Sequence, residues 1–312
     1  MTGAAATPAT EATSGGCPFG AGSAGADAAG GQRQAHGDAA GPGAASGTGG
    51  GASMSYGSYL RVPELLALQS QRVSSNHDEM LFVIIHQAYE LWFRQLLHEL
   101  DRVIGLMQVD EVREAHRLMT RVHQIERLLV EQMHVLETMT PRDFFAFRDL
   151  LRPASGFQSA QFREVELLMG LRSEVFLKPF AEGSDERRRL LERWDGPTLP
   201  GELFALLRRA GFALPLEVDD SNRDASVRAL LPLFTEMERW WDIYQLSEAL
   251  VAHDQWIHTW RYHHIRVVER IIGHKMGTGG SPGVAYLETT LRHRAFDLLI
   301  EARSYLDEAD PG

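Results

Sequence analysis

The chain has 312 residues, 44% of them hydrophobic and 23% charged, the balance of an ordinary globular protein. A net charge of −11 gives nucleic-acid binding no electrostatic support, and the longest apolar run, residues 80–85, is far too short for a membrane span. The single cysteine, Cys17, excludes an internal disulfide framework and fits a reducing cytoplasm.

Residues 1–53 are rich in Ala, Gly, Ser and Thr and poor in large apolar side chains, so they predict a disordered tail. They lack the charged start and apolar centre of a secretory signal. A second region, 54–312, is long enough for one substantial core.

Within it nearly every segment carries the helical period. "HDEMLFVIIHQAYELWFRQLLHELDRVIGLM" (77–107) predicts a long helix, apolar nearly all round in its middle and therefore deeply buried. A second long helix is expected over 110–139, opened by acidic residues that suit the helix dipole. "TPRDFFAFRDLL" starts with Thr140 as cap, Pro141 at the first position and Asp143 at the third. Shorter, more polar pieces fill 184–215. Residues 228–273 predict helix throughout, broken near 252–254, and a last helix is expected from 284 to 306. No alternating strand pattern occurs. The fold class is all-α, bundle-like, with the tail appended.

Thirteen histidines in a helical chain raise the question of metals. "HELDR" has Arg102 where a zinc protease needs its second histidine. A di-iron bundle needs two Glu-x-x-His pairs on different helices, and only Glu131/His134 is present. Covalent haem needs Cys-x-x-Cys-His, which is absent. In "WRYHHIRVVERIIG" the apolar stripe Ile257, Trp260, Val268, Ile271 passes through His264, whereas His263 shares its face with Arg266 and Arg270. His86 follows six apolar residues. Two histidines on dry seams suit a non-covalent haem, one as axial ligand and one on the distal face; a backbone-bonded core histidine is the plainer alternative. Arg148, on the inner side with Phe144 and Leu151, is either an anion holder or an arginine snorkelling past Phe144.

"YGSYL", "HDEMLFVIIHQAYELWF", "TPRDFFAFRDLL" with "SGFQSAQFR", "WRYHH" with "VERIIG", and "GTGGSPG" together resemble the tryptophan 2,3-dioxygenase family, in order, from Tyr56 to Tyr305. The resemblance implies haem b on His264 as axial ligand and dioxygen as co-substrate. It implies that L-tryptophan is cleaved at the indole C2–C3 bond to N-formyl-L-kynurenine. His86 would accept the indole N–H, Phe82 would pack on the ring, Arg148 would grip the carboxylate, and Thr278 would bond the amino-acid end. Tyr56 and Tyr59 would reach a neighbouring subunit of a homotetramer, and Ser155 and Gly156 would lie near the haem. Gly277, Gly279 and Gly280 would let the loop close. Pro282 stands where serine is more usual in the family, and Phe144 where some relatives have tyrosine. The same fold could serve a modified tryptophan in secondary metabolism, or a haem sensor without turnover.

Overall fold

The computed structural model describes residues 54–73, 75–278 and 283–309. The predicted tail 1–53 with Cys17, and Gly279, Gly280 and Pro282, lie outside them. From Ser55 onward the chain forms one compact unit. Among the described residues every regular element is helical.

Fourteen α-helices are described: α1 Tyr56–Leu60, α2 Val62–Leu66, α3 His77–Gln108, α4 Val112–Leu136, α5 Pro141–Arg148, α6 Ala160–Leu168, α7 Asp185–Asp195, α8 Leu199–Arg209, α9 Arg223–Ala229, α10 Pro232–Thr235, α11 Trp241–Ile272, α12 Val284–Thr289, α13 Asp297–Ala302 and α14 Leu306–Ala309. Three long ones make the frame. α4 packs against both α3 and α11 through residues spaced three and four apart, among them Leu118, Met119, Val122, Ile125, Leu129 and Met133. Each such side chain, fully buried, contributes roughly 1.5–3 kcal/mol of transfer free energy.

The ends of the elements follow local chemistry. Asn76 caps α3 by accepting from the N–H groups of Asp78 and Glu79 (3.0 and 3.1 Å), and its amide donates to the Asp143 carbonyl at 2.9 Å. That bond ties the start of α3 to α5. Thr140 caps α5 by accepting from Asp143 N–H at 3.2 Å, with Pro141 in the first turn, as expected.

Three expectations fail, each for a physical reason. The middle of α3 is not buried all round: Ile84 and Leu91 are 47% and 58% exposed, one apolar edge of the helix facing outward. α11 does not break at 252–254; the break falls at 236–240 instead. The polar residues at this point are sealed inside the continuous helix, with His253 paired to Glu126 of α4 and Asp254 accepting from Ala295 N–H at 3.3 Å. The final helix is interrupted after Arg292, where His293 is extended and its carbonyl accepts from His258.

Candidate functional site

α3, α5, α6 and α11 enclose a cavity of about 300 Å³. Its lining brings together Phe82, His86, Phe144, Arg148, Ser155, Gly156, His264 and Thr278, from five separate stretches of sequence. Tyr56 and Tyr59 do not line it; they project from α1, 79% and 70% exposed.

On the α3 wall the His86 ring lies tilted against Phe82, centroids 4.0 Å apart, and Phe82 in turn meets Phe144 and Phe147 with centroids at 5.8 and 5.5 Å. His86 Nδ1 lies 2.7 Å from the Phe82 carbonyl oxygen. A carbonyl only accepts, so Nδ1 carries the proton and the neutral ring leaves Nε2 as an acceptor. Desolvation by its surroundings holds the His86 pKa below the usual histidine value. Part of the residue stays accessible to solvent, and it lines the cavity.

On the α11 wall His264 sits where the helical stripe puts it. Its ring stacks parallel to Trp260, centroids 5.4 Å apart and planes 2° apart. Trp260 is held by Phe162 at 4.7 Å and meets Tyr89 edge-on at 6.0 Å. Burial, reinforced by His86 and by the charge of Arg163, lowers the His264 pKa to about 4. At neutral pH the imidazole is uncharged. His263, one residue earlier, turns away from the cavity to meet His134 and Tyr262.

Arg148 is 6% exposed, which excludes the snorkelling alternative. Its Nη2 donates to the Met276 carbonyl, and its nearest carboxylate, Asp149, stays 3.7 Å away and faces solvent. The guanidinium is therefore anchored but not neutralised by a hydrogen-bonded partner. The Met276 bond also fastens the 273–278 loop to α5. Thr278 Oγ1 donates to the Ala154 carbonyl at 2.6 Å. The loop closes at Gly283, where φ is +67° and a Cβ would stand 2.7 Å from the Lys275 carbonyl, so no other residue fits. Ser155 opens the turn to Gln158, accepting from Phe157 N–H at 3.2 Å.

A neutral imidazole with no hydrogen bond among the described residues, facing a cavity walled largely by aromatic and aliphatic side chains, is a donor suited to an iron porphyrin. A second imidazole with a free acceptor nitrogen, His86 of α3, lines the same cavity. The donor set fits a haem. Sequence reasoning missed the buried polar layer behind this wall: Arg163 and Glu166 on α6 and Arg261 on α11 also line the cavity. Charged residues in helix-forming segments read as solvated faces, and no local signal marks them as buried.

Fold and cavity together define an all-helical protein with an apolar internal pocket between two neutral imidazoles. The sequence profile of tryptophan 2,3-dioxygenase matches residues 41–201 and 218–306, reaching further toward the N-terminus than Tyr56. The chain is 46% identical over 264 residues to a tryptophan 2,3-dioxygenase of a Nocardioides species, covering 82% of this chain and 96% of that protein. It is 39% identical over 263 residues to one of Bacillus anthracis (81% and 93% covered), and 40% identical over 260 residues to one of Caulobacter vibrioides (81% and 98% covered). The chain belongs to the tryptophan 2,3-dioxygenase family.

Proposed function

We propose that this chain is a haem-dependent dioxygenase that cleaves the indole C2–C3 bond of L-tryptophan with dioxygen, giving N-formyl-L-kynurenine. The observation that carries the proposal is the meeting, in one cavity of a tryptophan 2,3-dioxygenase family member, of His264, His86 and a buried Arg148 that has no hydrogen-bonded carboxylate. Haem b held by His264 would supply the iron-centred oxygen chemistry. The remaining work falls to the protein's own groups.

Arg148, with one N–H committed to Met276, offers the rest of its guanidinium fork to the substrate carboxylate. Thr278 gives its proton to the Ala154 carbonyl, so its oxygen is left to accept from the substrate ammonium group. His86 Nε2, an acceptor with no proton of its own, accepts a hydrogen bond from the indole N–H, and Phe82 packs on the ring. Ser155 and Gly156, which line the same cavity, would lie near the haem. Holding the reacting atoms in one orientation, and keeping water out, is the main contribution such a site makes to rate.

Tyr56 and Tyr59 complete a neighbour's site in a homotetramer; their exposure, and that of Leu60, Leu65 and Leu66 beside them, supports an arm that crosses to another copy. A cytoplasmic location agrees with the single cysteine and with the lack, among the described residues, of any helix long and apolar enough to cross a membrane. Residues 1–53 form a tail that the reaction does not use, and residues 54–312 form the catalytic domain.

The test is to incubate the reduced, haem-loaded protein with L-tryptophan under isotopically labelled dioxygen. Formylkynurenine carrying two labelled oxygen atoms is expected. A product with one labelled atom, or none formed, would overturn the proposal.

A further inference from the structure

Behind His264 the wall contains more positive charge than its packing requires. Arg163 and Glu166, one turn apart on α6, form a direct ion pair. Arg261, one turn before His264 on α11, donates Nη2–H to the other oxygen of Glu166 at 2.7 Å. All three are buried, at 7%, 2% and 3% exposure. Two guanidinium groups thus share one carboxylate, leaving one surplus positive charge.

Among the described residues neither guanidinium has another carboxylate partner, and Glu90, on the α3 side of the same cavity, is bonded to Gln161 instead. The adjacent Glu164 carboxylate is engaged by Arg189 and Arg193, at 3.4 and 3.3 Å. Around Arg163 stand the rings of Phe157, Phe176 and Phe162, with centroids 4.4, 4.9 and 5.3 Å from the guanidinium carbon. Their faces stabilise a cation without neutralising it. The Nε of Arg163 and the Nη1 of Arg261 have no hydrogen-bond partner and are sealed from solvent.

A single arginine–glutamate pair would join α6 to α11 equally well. A second buried guanidinium adds a desolvation cost that helix packing does not need to bear. The three residues line the same cavity as His264, and the Arg163 charge is one of the influences that keep that imidazole unprotonated. A fixed cation in a low-dielectric wall opposes any further positive charge placed beside it. Moving a bound haem from ferrous to ferric adds such a charge, and burial and outer-shell charge are among the levers that set haem potentials.

We propose that Arg163, Glu166 and Arg261 form a buried, net-positive triad that biases a haem held on His264 toward the ferrous state, the state that takes up dioxygen. The inference rests on the haem dioxygenase function proposed above.

The experiment is an anaerobic potentiometric titration of the haem-loaded protein, followed at the Soret band, for wild type, Arg163→Met, Glu166→Gln and Arg163→Lys. Arg163→Met should shift the ferrous-to-ferric ratio at a fixed potential about tenfold toward ferric, or about 59 mV for one electron. Glu166→Gln should shift it toward ferrous, and Arg163→Lys, which keeps the charge, should stay with wild type. Opposite shifts for the Met and Gln variants support the triad's role. Equal potentials in all four proteins, or Met and Gln shifts of the same sign, would overturn it and leave only a structural clamp. If Arg163→Met retains no haem, Glu166→Gln decides: a shift toward ferrous supports the role and no shift overturns it. A wild-type protein that binds no haem would overturn the proposed function itself.

Discussion

The two walls of the cavity are built on opposite principles. On the α3–α5 side the polar groups keep part of their bonding capacity unused: His86 bonds the Phe82 carbonyl, four residues earlier, and Arg148 bonds Met276, 128 positions away on the adjoining loop. His86 is accessible, and its acceptor nitrogen is unused. On the α6–α11 side His264 is clamped against Trp260, and behind it runs a buried ionic layer joining residues 95 positions apart. One wall leaves donors and acceptors open for a ligand that comes and goes; the other fixes one nitrogen and surrounds it with unchanging charge. The proposed substrate face and cofactor face would need this difference, because exchange requires unsatisfied groups and permanence requires rigid support.

The largest expected effect breaks the cofactor face. His264→Ala should abolish haem retention altogether, read as loss of the Soret band; a band of wild-type strength would refute the ligand assignment. Next comes the substrate face. Arg148→Ala should weaken apparent tryptophan affinity by about 2–5 kcal/mol while leaving haem content intact, since a desolvated charge contact is lost. Unchanged affinity in a tryptophan titration would remove the carboxylate role.

A smaller effect comes from pH, and its sign follows from His264. The folded-state pKa, lowered to about 4, lies below the ordinary value of 6.5. Between those values the unfolded chain binds a proton that the native imidazole refuses, so the stabilisation is complete above pH 6.5 and is lost as pH falls. For the haem-free chain, urea unfolding at pH 5 should show a loss of about 2 kcal/mol relative to pH 7 from this group. The His264→Ala variant should lack that share of the slope; an identical slope would show that the ring is not held neutral by burial. Smallest of all, deleting residues 1–53 should leave turnover unchanged, and a dead truncation would show that the reaction depends on them.

What could be read from the residues alone divides along similar lines. Helical periodicity placed α3 to within a residue and selected His264 over His263, because both depend on neighbours three and four positions away. The cap at Thr140 is equally local. The break falls at 236–240 and not at 252–254, where a histidine and an aspartate are held in mid-helix by partners far off in sequence. Glu126 lies 127 positions from His253, and burial pushes its carboxyl up while the paired ring holds it in place. The Arg163–Glu166–Arg261 layer escaped for the same reason. Patterning records which face of a helix is apolar, but not which charged residue finds a partner on another helix.

The most direct measurement is an absorption spectrum of the purified protein, supplied with hemin, reduced, and recorded before and after L-tryptophan is added. An intense Soret band that shifts on adding the amino acid is the predicted result. A colourless protein that takes up no hemin would contradict it.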